Sequence, residues 1–173
     1  MEKDNEFLIP VSGLALGVHR YQFDIRDDFF ADLDYSEVKH AEVTVDLEVE
    51  REELMMTMNF RLEGKVLVAC DRCADEFYIP IQSEQVFCIK LGAEEVEESD
   101  DVAVVPADQH AYDVSSLIYE YIVLAVPMHR VHPEGECNPE VIKLLSRDET
   151  SSEEDTATDP RWAALKDIKI EDN

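Results

Sequence analysis

The sequence predicts an α+β fold: an antiparallel sheet or partly closed barrel, one main packed helix and a short helix near the C-terminus. Three stretches carry that expectation. Val43, Val45, Leu47 and Val49 alternate with Glu42, Thr44, Asp46, Glu48 and Glu50, the period of two that gives a strand one buried and one wet face. Met56, Met58, Phe60 and Leu62 repeat the pattern against Thr57, Asn59, Arg61 and Glu63, as an antiparallel neighbour would. Val114, Leu117, Ile118, Tyr121, Ile122 and Ala125 recur instead at the spacing of one helical face,.

In chain order, residues 16–25 read as a strand and 26–33 as a short helix or a loop. The two alternating strands follow, and Gly64 punctuates the second. Val66 and Val68 then lead into Cys70, and a further extended run holds Phe77, Ile79 and Ile81, then Phe87, Ile89 and Leu91. Cys70-Asp71-Arg72-Cys73 therefore falls on a hairpin-like turn between strands. Glu94, Glu95, Glu97, Glu98, Asp100 and Asp101 cannot stack in a core and read as a solvated loop. Asp113 is placed to cap the main helix, and Pro127 to stop it.

After Leu145 apolar periodicity ends, which predicts one domain over 1–145 and a disordered acidic linker over 146–158. Asp159 as a cap and Pro160 at the first helical position then open a docking segment over 159–173 that carries Trp162, Leu165 and Ile168 on one side. Trp162 is the only tryptophan of the chain. The segment either offers these side chains to a partner or folds back on its own sheet.

The chain has 173 residues, 41 acidic and 15 basic, for a formal net charge of -26 at pH 7. A field of that sign repels phosphate backbones and anionic lipid surfaces and attracts basic proteins. The charged start at Met1 to Asn5 does not read as a signal peptide. No run approaches the roughly 20 apolar residues a membrane span needs. A cytoplasmic setting is expected, in which cysteines serve as thiols or metal ligands and not as disulfides.

Cys70 and Cys73 form a C-x2-C knuckle, a tight turn from which two thiolates reach one metal. His132 and Cys137 supply a second half just past the helix stop, with His129 as an alternative ligand. Three cysteines and one imidazole suit Zn2+, and a closed four-ligand shell leaves no place for a substrate, so the zinc would be structural. The competing readings are a site left empty, or with His132 merely a surface histidine, and a redox pair. The redox pair calls for a helix N-terminus after the second cysteine, where Phe77 onward reads as a strand. Cys88, inside a strand run, reads as a buried, inert thiol. The five glycines form no phosphate loop, and no motif sets out a nucleophile or a zinc-protease helix, so no catalysis and no small-molecule substrate are expected.

Three segments together resemble the YceD family, associated with accumulation of the large-subunit ribosomal RNA. They are Cys70-Asp71-Arg72-Cys73 with the extended run that follows, the helix from Tyr112 to its end at Pro127, and the tail Asp159-Pro160-Arg161-Trp162-Ala163-Ala164-Leu165. The resemblance covers the chain from about Ala41 onward, and the stretch from His132 to Cys137 is similar to that of members that keep those ligands. It implies a ribosome biogenesis factor supporting accumulation or processing of large-subunit ribosomal RNA, and the acidic charge makes a basic ribosomal protein or a large-subunit assembly intermediate the expected partner. Arg72, Asp159, Pro160, Arg161, Trp162 and Leu165 are the expected partner-binding residues. A limited contact with ribosomal RNA would draw on Arg72, Lys65, Lys90, Arg130 and His129. The alternative is a zinc-stabilised acidic interaction module unrelated to ribosomes.

Overall fold

The computed structural model describes residues 6–31, 33, 35–92, 101–106 and 108–151. The elements run β1 (Leu8–Pro10), β2 (Gly17–Ile25), α1 (Asp27–Phe30), β3 (Ala41–Arg51), β4 (Met55–Ala69), β5 (Glu76–Leu91), β6 (Val102–Val105), β7 (Ala111–Asp113), α2 (Ser115–Ala125) and α3 (Pro139–Ser151). Five strands form one sheet in the order β2-β3-β4-β5-β6, and β1 pairs with β7 in a second. The sheet is not a closed barrel: among the described residues its outer strands, β2 and β6, do not pair.

The alternation read from the sequence sets the buried face. Val45 of β3 lies opposite Leu62 of β4, and Leu47 opposite Phe60, and all four are at most 2% exposed. α2 closes this face with Leu117, Ile118, Tyr121 and Ile122, all buried. The Tyr121 ring meets Phe60 edge-on at 5.2 Å between centroids. The facing positions Glu42, Asp46, Glu48 and Arg61 stay in water, where Arg20–Glu48, Lys65–Glu42 and Arg61–Glu84 form exposed ion pairs, each worth little.

Several local expectations are corrected. Gly64 does not end a strand: β4 runs 15 residues through it. A side chain there would press on the Glu42 carbonyl oxygen and lie 2.6 Å from the Val43 Cα, so the position needs glycine for close backbone approach, not for a turn. The extended run holding Phe77, Ile79, Ile81, Phe87, Ile89 and Leu91 is a single strand of 16 residues, as read. Pro80 is tolerated within it because β6 covers only Cys88–Leu91, leaving β5, among the described residues, with an open edge at the proline. β6 runs parallel to β5, so the sheet is antiparallel except at that edge. Cys88 is half-buried, not fully buried.

Other expectations are refined. Residues 27–30 form the short helix α1. Val114 occupies the N-cap position of α2, yet Asp113 still does capping work, its Oδ1 accepting from the Ser115 N–H at 2.8 Å. Val126 turns extended before Pro127, as the residue preceding a proline prefers. α3 runs to Ser151, into the stretch expected as a linker from Ser146. The rest of that linker, the docking segment over 159–173 and the acidic run up to Asp100 lie outside the described residues.

Candidate metal centre

The β4–β5 hairpin closes in a knuckle. Cys70 N–H donates to the Asp75 carbonyl and Ala74 N–H to the Cys70 carbonyl, both at 2.9 Å. Ala74 pays for the tight return with a left-handed φ of 64°, a conformation unusual outside glycine. The turn aims Cys70 and Cys73 to one side, both buried at 3% and 5% exposure. The Arg72 N–H donates to the Cys70 sulfur at 3.4 Å.

The second half comes from the segment between α2 and α3. Its turn is bridged by the Glu136 N–H donating to the Pro133 carbonyl at 3.1 Å, with Gly135 at φ 88° in the position that requires a positive value,. Asn138 caps α3 through its Oδ1, which accepts from Glu140 N–H at 3.1 Å, and Pro139 sits at the first helical position, where a missing N–H costs nothing. Asn138 also donates to Asp75 at 3.2 Å, fastening the start of α3 to the knuckle. Val141 and Ile142 then pack over the cysteines.

These two halves bring Cys70, Cys73, His132 and Cys137 together, their ligand atoms all within 4.8 Å of one another. Cys70 Sγ lies 3.9 Å from Cys137 Sγ, Cys73 Sγ 3.4 Å from His132 Nδ1, and Cys137 Sγ 4.0 Å from that same nitrogen. A tetrahedral zinc with bonds of about 2.3 Å to sulfur and about 2.0 Å to nitrogen places its ligands about 3.8 Å (S to S) and about 3.5 Å (S to N) apart. The donor set fits a metal such as zinc in chemistry and in spacing. The Phe77 ring holds the imidazole plane, with centroids 4.3 Å apart. His129 is exposed and outside the group.

The thiols are not equivalent. Burial raises the Cys70 pKa, but the N–H groups of Cys73, His132 and Arg72 and the His132 side chain outweigh it and bring the group down to about 6. Cys137 is raised, first by burial and then by its hydrogen bond to Cys70. Cys70 is thus prepared as a thiolate, the form in which sulfur binds metal.

Asp71 and Arg130 lock the halves together through their backbones, Asp71 N–H donating to the Arg130 carbonyl at 2.7 Å. Sequence reasoning missed this pair, and also Asp75, Asn138 and the whole of α3; for α3 the signal present was Asn138-Pro139 ahead of Val141 and Ile142.

The basic patch expected for RNA is not assembled. Lys90 pairs with Met55 at the end of the sheet away from the knuckle, which adjoins Ala69 and Glu76. Lys65 is engaged by Glu42 and Arg130 by Asp71 and Glu37. Arg72 is exposed on the knuckle; Asp159, Pro160, Arg161, Trp162 and Leu165 lie outside the described residues.

A family model described as large ribosomal RNA subunit accumulation protein YceD matches residues 58–169, more than half of the chain. The matched stretch includes all four cluster residues, α2 and the tail around Trp162. No curated protein and no solved structure matches the chain.

Proposed function

The chain belongs to the YceD family, and on that premise we propose that it is a non-catalytic assembly factor that supports accumulation of large-subunit ribosomal RNA by binding a basic ribosomal protein or an assembly intermediate. The observation that carries this reading is the family match, whose description names that accumulation. Charge narrows the manner of action. With a net charge of -26, and with Lys65 and Arg130 already engaged by carboxylates, the protein is built to attract cations more than phosphates. Any RNA contact is limited to exposed side chains such as Arg72.

Cys70, Cys73, His132 and Cys137 would hold a metal such as zinc as a structural cross-link, all four ligands coming from the chain and no reactive position left open. Cys70 and Cys73 hold it from the hairpin, while His132 and Cys137 bring in the segment that starts α3. No helix among the described residues is long and apolar enough to cross a membrane, in keeping with work in the cytoplasm, where ribosomes assemble.

The test is depletion of the protein in its own cells, with large-subunit ribosomal RNA quantified and the tagged protein followed through a sucrose gradient. Loss of that RNA, with the protein in precursor fractions, is the expected result. Unchanged RNA and absence from those fractions would overturn the assembly role and leave a zinc-stabilised acidic interaction module.

A further inference from the structure

Beside the metal centre a groove of about 610 Å³ runs between the end of α2 with the loop that follows it, the end of β4, and the loop that carries Tyr35 and Glu37. Three large apolar side chains line it while facing solvent: Met128 at 94% exposure, Tyr35 at 72% and Val123 at 38%. Isolated apolar residues on a surface need no explanation, but several converging on one concavity mark an interaction site. A methionine at its lip is flexible and polarizable, suited to packing against a partner's side chains. The rim is acidic, with Glu37 and Glu76 both exposed. The lining also includes one cation, Arg130, held between Asp71 and Glu37 at 3.4 and 3.9 Å.

We infer that this groove docks a lysine- or arginine-rich amphipathic segment of a partner protein, apolar side chains seated against Met128, Val123 and Tyr35 and cationic ones reaching Glu37 and Glu76. The groove-and-helix mode of recognition has this composition, with apolar anchors in the cleft and charge at the rim. RNA is disfavoured as the occupant, since its phosphates would face the acidic rim and the net charge of -26,. The chain's own residues 152–173 are disfavoured too, because they carry seven acidic against three basic side chains. The wall from Pro127 to Arg130 leads into His132, and the two Asp71–Arg130 hydrogen bonds hold it against the knuckle, so the groove has a fixed shape before any partner arrives.

The inference rests on the assembly-factor reading for the partner's identity, and its test is independent of that reading. Full-length protein is titrated into a fluorescein-labelled synthetic peptide of alternating leucine and lysine pairs, and anisotropy is followed at physiological salt. Val123→Asp with Met128→Asp should weaken binding at least tenfold, although the added negative charges alone would strengthen it. Leu16→Asp with Val18→Asp, the same charge placed by the β3–β4 hairpin end, should leave binding as in the wild type. Glu37→Lys with Glu76→Lys, which leaves the apolar lining intact, should weaken it as well. Equal binding by the wild type and both groove variants, or no binding by the wild type, would overturn the inference while leaving the depletion result untouched. A shift in Trp162 emission caused by the Val123/Met128 variant without peptide would assign the groove to the chain's own tail and overturn it. So would loss of binding to a labelled large-subunit RNA fragment in that variant with peptide binding unchanged.

Discussion

Asp71 and Arg130, 59 positions apart in sequence, are joined by two hydrogen bonds: the Arg130 backbone N–H donates to the side-chain Oδ2 of Asp71 at 2.7 Å, and the Asp71 N–H donates to the Arg130 carbonyl at 2.7 Å. The pair sets the distance between the two halves of the cysteine–histidine cluster before any metal enters. Asp71→Ala removes the carboxylate acceptor and leaves all four ligands in place. Zinc affinity should fall about tenfold to a hundredfold, the range seen when groups that orient ligands are lost. Competition with a chromophoric chelator measures it; an unchanged affinity would mean that the ligands alone fix the geometry.

In metal-free protein the Cys70 thiol should react at lower pH than that of Cys137. Cys70, brought down to about 6 from an ordinary 9.0, is largely thiolate at neutral pH, while Cys137 is raised and stays protonated. The sign of the linkage follows: a depressed Cys70 pKa adds stability that is fully present above about 9 and lost as pH falls through about 6. Alkylation with iodoacetamide, mapped by mass spectrometry from pH 5 to 9, should label Cys70 ahead of Cys137, with a Cys70 midpoint near 6. Equal labelling of Cys70 and Cys137 at every pH would contradict it.

The strands and the cluster were legible in the sequence for one reason. A sheet with one wet face writes its pairing as alternation, so Val43 to Val49 and Met56 to Leu62 declared both their faces. The C-x2-C spacing likewise named Cys70 and Cys73, and the nearby His132 and Cys137 completed a plausible zinc set. What stayed hidden depended on partners remote in sequence. Gly64 looks like a break until Val43 and Glu42 are set beside it, and the parallel pairing of Val102–Val105 with Cys88–Leu91 leaves no local trace. α3 was overlooked because its acidic second half obscures the short apolar stretch from Val141 to Leu145.

Gly64 separates close backbone approach from turn formation. Gly64→Ala introduces a methyl group against the Glu42 carbonyl oxygen and the Val43 Cα, which are backbone atoms and cannot step aside. Urea denaturation should show a loss of about 1–3 kcal/mol, as for other overpacked sites. Gly92→Ala meets nothing within 4 Å and should be nearly neutral. If the two variants proved equally stable, the strands would have to separate more easily at Gly64 than their pairing implies.

Tyr121 offers a stabilising change. Its ring is held against Phe60 at 5.2 Å, but its hydroxyl is buried without a hydrogen-bond partner among the described residues. Burial, followed by the negative charges of Asp101 and Glu120, pushes its pKa up to about 12, so the group stays neutral at any physiological pH and contributes no charge to the fold. A buried hydroxyl with no partner carries a desolvation cost that a ring of the same shape does not. Tyr121→Phe keeps the packing against Phe60 and removes that cost, so stability should rise by about 1 kcal/mol. The same substitution should leave zinc affinity as it is, since Tyr121 faces the sheet core and not the cluster. Thermal unfolding followed by circular dichroism decides it: a lower midpoint for the phenylalanine variant would mean that the hydroxyl is hydrogen-bonded in solution, to water or to a neighbouring group.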